Sequence, residues 1–147
     1  MRLLVPQAIL KTTFHILRDC GRGECECQVL WTSPWSAPQT ITGVVHPKHR
    51  SHAGGFVLDG KALNTIWLDL AARGQGVRVQ VHTHPAEAFH SPTDDRFPIV
   101  HTPGFLSLVI PDFAQGPIGF QDAFLAEIGA DGRFRPARLD SRFATIQ

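Results

Sequence analysis

Residues 81–95 read VHTHPAEAFHSPTDD, which sets His82, His84, Ser91 and Asp94 close together with Pro85 between them. On a β-strand, side chains two apart share a face and stand roughly 7 Å apart along the chain. His82 and His84 can therefore turn both imidazoles toward one ion, as in zinc half-sites of the His-x-His type. A third ligand must come from elsewhere, and Asp94 lies ten residues beyond His84, after a loop that can fold back. Three protein ligands on tetrahedral zinc leave the fourth position to water, the arrangement of a catalytic rather than a closed structural site. Zinc lowers the pKa of that water to about 7.

Hydrolysis by such water needs a base and a donor to the developing oxyanion. Ser91-Pro92-Thr93-Asp94 reads as a helix start, with Ser91 as cap and Pro92 in the first helical position. A hydroxyl there would sit near the metal and could donate to a tetrahedral intermediate. The base should be a carboxylate on a neighbouring strand. The four glutamates are Glu24, Glu26, Glu87 and Glu127, and Glu24 and Glu26 share a face of the first predicted strand.

The elements around these residues follow from periodicity. Pro6 can open an amphipathic helix over 6–20, stopped by Gly21 and Gly23. Residues 24–32 and ITGVVHP read as strands, with SPWSAPQT as a loop between them. HPKHRSHAGG reads as a polar loop and GFVLD as a short strand. Asp59 can cap a helix whose Leu63, Ile66, Trp67 and Leu70 fall on one face, closed by Gly74 and Gly76. VRVQVHTH alternates as a strand that Pro85 stops. GFLSLVIPDF is apolar enough for a strand buried on both faces. DAFLAEIG and RFRPARL flank Asp131-Gly132, a hairpin signal. The result is a mixed α/β chain in one domain, 1–147.

Composition narrows the classes without calling for a nucleic-acid role. The hydrophobic fraction is 43% and the charged fraction 18%, which suits a packed globular chain. A net charge of +1 gives no electrostatic footprint for nucleic acid. No apolar run approaches the ~18–20 residues of a membrane span. MRLLVPQAIL, interrupted by Pro6, does not read as a signal peptide, and a cytoplasmic location is expected. Cys20, Cys25 and Cys27 are an odd, bunched set, not a disulfide framework. They could ligate a structural zinc, but no fourth ligand is evident, and small buried thiols are the expected reading. Cys27 should face away from Glu26.

The remaining polar and aromatic residues have plainer readings. His46, His49 and His52 could form another metal site, although Pro47 and the glycines argue for a solvated basic loop. His90 is read as an exposed loop residue, with a place behind the metal ligands or at the substrate as the alternative. Trp31, Trp35 and Phe56 are either core or a partner patch.

His82-Thr83-His84-Pro85 followed by Ser91-x-x-Asp94 resembles the JAMM motif of the JAB/MPN metalloproteases: a distant Glu, His-x-His, a short loop, then Ser-x-x-Asp. Here six residues separate His84 from Ser91 where the family usually has seven. Asp95 is the adjacent alternative for the third ligand, and the Ser-x-x-Asp spacing favours Asp94. The stretch AFHSPTDDRFPI…GFLSLVIPDF is similar to a bacterial branch of the family that often accompanies E1- and E2-like proteins. The resemblance implies a mixed, curved β-sheet flanked by helices, related to cytidine deaminases, with one Zn²⁺ per chain on His82, His84 and Asp94. It implies isopeptidase or peptidase action on a ubiquitin-like protein, with Ser91 at the oxyanion. The family's glutamate opens a strand in a Glu-x-Cys-Gly-Leu-Leu-like motif. Glu24-Cys25-Glu26-Cys27-Gln28-Val29-Leu30-Trp31 matches loosely, without the Gly, and points to Glu26 as base, with Glu24 as the alternative. The deaminase signature of His-x-Glu followed by Pro-Cys-x-x-Cys is absent. A non-catalytic MPN-type interaction module, and an amidase releasing a small amine from a carrier protein, stay open as other readings.

Overall fold

The computed structural model describes residues 1–47, 49–52, 55–96 and 99–147, with residues 50–52 and 55–58 described as backbone only. The side chains of His52 and Phe56, named above, lie outside the described residues.

Strand β1 (Leu3–Pro6) runs into helix α1 (Gln7–Gly21), with Pro6 at the helix N-cap, so the proline both ends the strand and starts the helix. The helix stops where Arg22 (φ 53°) and Gly23 (φ 71°) turn left-handed. Strands β2 (Gln28–Pro34), β3 (Gly43–Val45), β6 (Gln75–Thr83), β7 (Leu106–Ile110), β8 (Phe124–Ile128) and β9 (Phe134–Ala137) form a six-stranded sheet in the order β3-β2-β6-β7-β8-β9. Its neighbours are antiparallel except β6 and β7, which run parallel, so the sheet is mixed as expected. Strands β4 (His49–His52) and β5 (Gly55–Leu58) pair with each other, and β1 pairs in parallel with β10 (Phe143–Ile146) after the short helix α4 (Leu139–Arg142). Helix α2 (Gly60–Ala72) is capped by Asp59, whose carboxylate accepts from the Ala62 N–H at 2.9 Å. Helix α3 is a short segment, Pro92–Arg96.

Alternation divides the central sheet into two faces. Cys27, Val29, Trp31, Val79, Val81, Leu106, Leu108 and Ile110 point to one side and pack with Leu10, Phe14 and Leu17 of α1 into the core. Their neighbours along the same strands, Gln28, Gln80, His82 and Ser107, are buried on the other side. All of β7 is buried, as the apolar run predicts. Trp31 belongs to the core and donates its Nε1–H to Thr13 Oγ1 at 2.8 Å, whereas Trp35 is 59% exposed, so the two share no patch.

Three expectations are corrected. Residues 24–27 precede β2 rather than opening it, because Glu24 and Cys25 donate their N–H groups to the Gly21 carbonyl in the turn after α1. Residues 49–52, expected as loop, form β4, since a hairpin partner follows in β5. Cys20 and Cys27, expected as free thiols, are joined in a disulfide with Cα atoms 6.2 Å apart, leaving Cys25 as the free cysteine. The same turn explains this: it folds the end of α1 back onto the start of β2.

Candidate metal centre

The two histidines stand at the end of β6, where the sheet register is held from both sides. Thr83, between them, accepts from the Cys27 N–H through Oγ1 at 2.9 Å and donates its own N–H to the Cys27 carbonyl at 3.1 Å. His84 donates its N–H to the Ile110 carbonyl at 2.9 Å and accepts from the Phe113 N–H at 2.8 Å. Pro85 then ends the strand, as its missing N–H requires.

The turn that receives His84 is strained. Asp112, Phe113 and Ala114 all have positive φ, between 52° and 62°, a left-handed run that ordinary residues rarely adopt. Arg18 of α1 offsets this by donating from Nε to the Ala114 carbonyl and from Nη2 to the Gly116 carbonyl, each at 2.6 Å. Charge-assisted hydrogen bonds of this kind contribute ~1.5–3 kcal/mol each. Arg18→Met should therefore lower the unfolding free energy by roughly 2 kcal/mol or more in urea titration. An unchanged midpoint and slope would remove the clamp from the account.

Asp94 is brought back by α3. The Ser91 hydroxyl accepts from the Asp94 N–H at 3.0 Å, and Asp94 Oδ2 accepts from the Ser91 N–H at 2.9 Å. This reciprocal cap bears out the helix start read from the sequence and fixes the carboxylate. Asp94 Oδ2 then lies 3.2 Å from His82 Nε2 and 3.3 Å from His84 Nε2. His82 is fully enclosed and His84 nearly so, with the His84 and Phe89 rings packed in a T-shaped contact.

This spacing can be tested against a metal. Two nitrogen or oxygen ligands about 2.0–2.1 Å from a tetrahedral zinc stand about 3.3 Å from each other. The two separations to Asp94 agree with that value, and the three ligand atoms all lie within 4.8 Å of one another, so the group suits a divalent ion. Burial works against the Asp94 charge, but hydrogen bonds from His82, His84 and the Ser91 N–H outweigh it and hold the carboxyl well below its usual range. Burial also pushes His82 below the ordinary imidazole value despite the Asp94 charge. The set therefore favours an ionised carboxylate and a neutral imidazole, the forms that bind metal.

Asp95, the alternative ligand, points elsewhere. Its Oδ1 lies 2.7 Å from His90 Nδ1, and His90 Nε2 lies 3.0 Å from Ser107 Oγ. Gln80 Nε2 donates to Ser107 Oγ at 2.9 Å, and Gln80 Oε1 accepts from the Ile99 N–H at 3.2 Å. One proton arrangement satisfies the chain: Gln80 to Ser107, Ser107 to His90, His90 to Asp95. The His90 side chain is 5% exposed, and its ring centre lies 6.3 Å from that of His82. His90 thus stands behind the ligands rather than in an exposed loop. Its place in the HSPTDD stretch was the available signal; Ser107 and Gln80 carried none.

Glu26 is the carboxyl group beside the ligands. Glu24 is exposed in the turn, Glu87 is exposed, and Glu127 is paired with Arg142. Glu26 is 8% exposed and precedes Cys27, the residue bonded to Thr83. Burial raises its pKa to about 7, His84 works against the rise, and the Asp94 charge adds to it. A carboxyl with a pKa near neutral can take and return a proton at physiological pH.

No family model matches the chain. It is 28% identical over 149 residues to the probable metalloprotease y4jG of Sinorhizobium fredii, covering 97% of this chain and 92% of that protein. Its fold is shared with the solution structure of DSY2949 from Desulfitobacterium hafniense, at a TM-score of 0.69 and 16% identity over 99% of this chain and 93% of that one. It is shared also with AF2198, a JAB1/MPN domain protein from Archaeoglobus fulgidus, at a TM-score of 0.54 and 11% identity over 97% of this chain and 98% of that one. The chain thus has the fold of a JAB1/MPN domain, as the resemblance implied, and is similar in sequence to a probable metalloprotease. No described helix is long and apolar enough to cross a membrane.

Proposed function

We propose that this chain is a zinc-dependent metallopeptidase that cleaves the peptide or isopeptide bond following the C-terminus of a ubiquitin-like protein. One observation carries the hydrolytic reading: the three ligand atoms of His82, His84 and Asp94 converge within 4.8 Å of one another, and the buried carboxyl group of Glu26 lies beside them. The similarity to a probable metalloprotease supports it. The ubiquitin-like substrate, and E1- and E2-like companions, rest on the likeness of residues 88–113 to the bacterial branch of the family.

When bound, the ion supplies Lewis acidity, which acidifies water and polarises a substrate carbonyl. The chain's own groups do the rest. The Glu26 carboxylate takes a proton from the attacking water and later delivers one to the leaving nitrogen, a Lys side chain or a backbone amine. The Ser91 hydroxyl accepts from the Asp94 N–H and keeps its own proton to donate to the developing oxyanion. His90 and its partners hold the site from behind.

Ser91→Ala should consequently have two effects. Turnover should fall about 10²–10³-fold through the lost oxyanion donor. The lost cap should weaken zinc binding by no more than about tenfold, since a cap contributes ~1 kcal/mol. Steady-state kinetics at saturating zinc, with a zinc titration beside them, separate the two, and unchanged turnover would remove Ser91 from the oxyanion.

The function is tested with zinc-loaded protein and a panel of ubiquitin-like proteins fused through peptide and isopeptide bonds. Cleavage at the junction supports the reading. Release of a small amine from a carrier protein without cleavage of any fusion would replace it with an amidase. Bound zinc with no turnover on either set would leave an interaction module.

A further inference from the structure

The sequence presents two half-sets, the cysteines at 20–27 and the histidines at 46–52, and neither is a metal site alone. The fold joins them. Cys27 Sγ lies 3.3 Å from His46 Nε2, and Cys20 Sγ lies 3.3 Å from His49 Nε2. All four ligand atoms fall within 4.8 Å of one another. Cys20 comes from the last turn of α1, Cys27 from the approach to β2, His46 from the end of β3 and His49 from the start of β4.

His49 Nδ1 is 2.8 Å from the Pro47 carbonyl, which can only accept, so in the neutral ring the proton sits on Nδ1 and Nε2 carries a lone pair. That lone pair is directed toward the Cys20 sulfur at 3.3 Å, the direction in which both atoms could ligate one ion. The Nδ1–H to carbonyl bond is also the arrangement by which metal-binding histidines are commonly oriented. Around a tetrahedral zinc, sulfur and nitrogen ligands stand about 3.6 Å apart, close to the two 3.3 Å contacts, while two sulfurs stand about 3.8 Å apart, so the sulfurs bonded here must separate on reduction to hold the ion.

We propose that Cys20, Cys27, His46 and His49 form a second, structural zinc site in the thiol-reduced chain. Two thiolates and two imidazoles close the tetrahedron, so no position is left for water and the site is not hydrolytic. The disulfide and the ion are alternatives. A dithiol reductant supplies two electrons and two protons, breaks the S–S bond and itself closes to a disulfide. The two thiols then each lose a proton as zinc binds.

The site has mechanical work to do. Among the described residues β4 and β5 pair only with each other, and the ion ties this hairpin to α1 and to the six-stranded sheet. It also anchors residue 27, next to Glu26. The inference does not depend on the proposed peptidase activity.

The test uses the full chain, reduced with a dithiol and freed of metal, then titrated with Co²⁺. Binding here produces a thiolate-to-cobalt charge-transfer band in the near ultraviolet, which a site of two histidines and an aspartate cannot give. The expected result is two metals per chain, with the band present in wild type and in His84→Ala. The band should be lost, and the count reduced by one, in His46→Ala/His49→Ala and in Cys20→Ser/Cys27→Ser. A variant that fails to fold is replaced by wild type, whose Cys20 and Cys27 should be protected from alkylation by added Zn²⁺. Absence of the band in reduced wild type, persistence of the band without the two histidines, or equal alkylation with and without Zn²⁺ would each overturn the site.

Discussion

Glu26→Gln is expected to keep its zinc and lose turnover by about 10²–10⁴-fold, the usual contribution of a positioned acid–base group. Glutamine matches the shape of glutamate, so it should occupy the same buried place beside His84 and Asp94. It cannot accept and return a proton. Metal analysis should find wild-type zinc content, and kinetics should show the loss in kcat more than in KM. The pH profile provides a second check. As the proposed base, Glu26 acts as the carboxylate, so kcat/KM should fall as pH drops through its pKa. That pKa is about 7 in the metal-free protein, raised by burial. A bound cation favours the ionised form, so the acid limb of the zinc enzyme should have its midpoint below about 7 and disappear in Glu26→Gln. A variant with wild-type turnover would move the proton transfer to another group.

His84→Ala should abolish activity by removing the metal. Groups that merely orient a ligand cost about 10–100-fold in metal affinity when lost, so deletion of the ligand itself should exceed 10²-fold. Stability should report the same loss. Zinc at a hundred times its dissociation constant stabilises the folded state by about 2.7 kcal/mol. That increment should vanish in His84→Ala at the same zinc concentration, in calorimetry on protein whose cysteines are held oxidised so that this site alone responds. An undiminished zinc-dependent rise in melting temperature would show that the ion sits elsewhere.

The sequence was most informative where ligands are close in the chain. His82, His84, Ser91 and Asp94 all lie within one strand, loop and helix start, so alternation, a proline and a capping pattern were enough to put them together. The elements that carry them were legible for the same reason: α1, α2, β6 and β7 each declare themselves by periodicity and by glycine or proline at their ends. Contacts set by distant pairing were not legible. Glu26 and Glu24 differ by two residues, and their separation into a buried and an exposed group depends on a turn bonded to Gly21. Arg18 lies nearly a hundred residues from the carbonyls it holds, and no local pattern marks it. Cys20 and Cys27 show no partner in the sequence, and His46 and His49 have a loop-like setting there, because no local pattern connects the two pairs. Strands β1 and β10 were missed because each is four residues long and they pair from opposite ends of the chain.

The most direct measurement is an anomalous-scattering map at the zinc absorption edge, from crystals of the oxidised protein grown with Zn²⁺. The expected result is a peak about 2.0–2.2 Å from His82 Nε2, His84 Nε2 and an Asp94 oxygen together. No density among those three groups in the presence of excess zinc, with their side chains turned apart, would contradict the account.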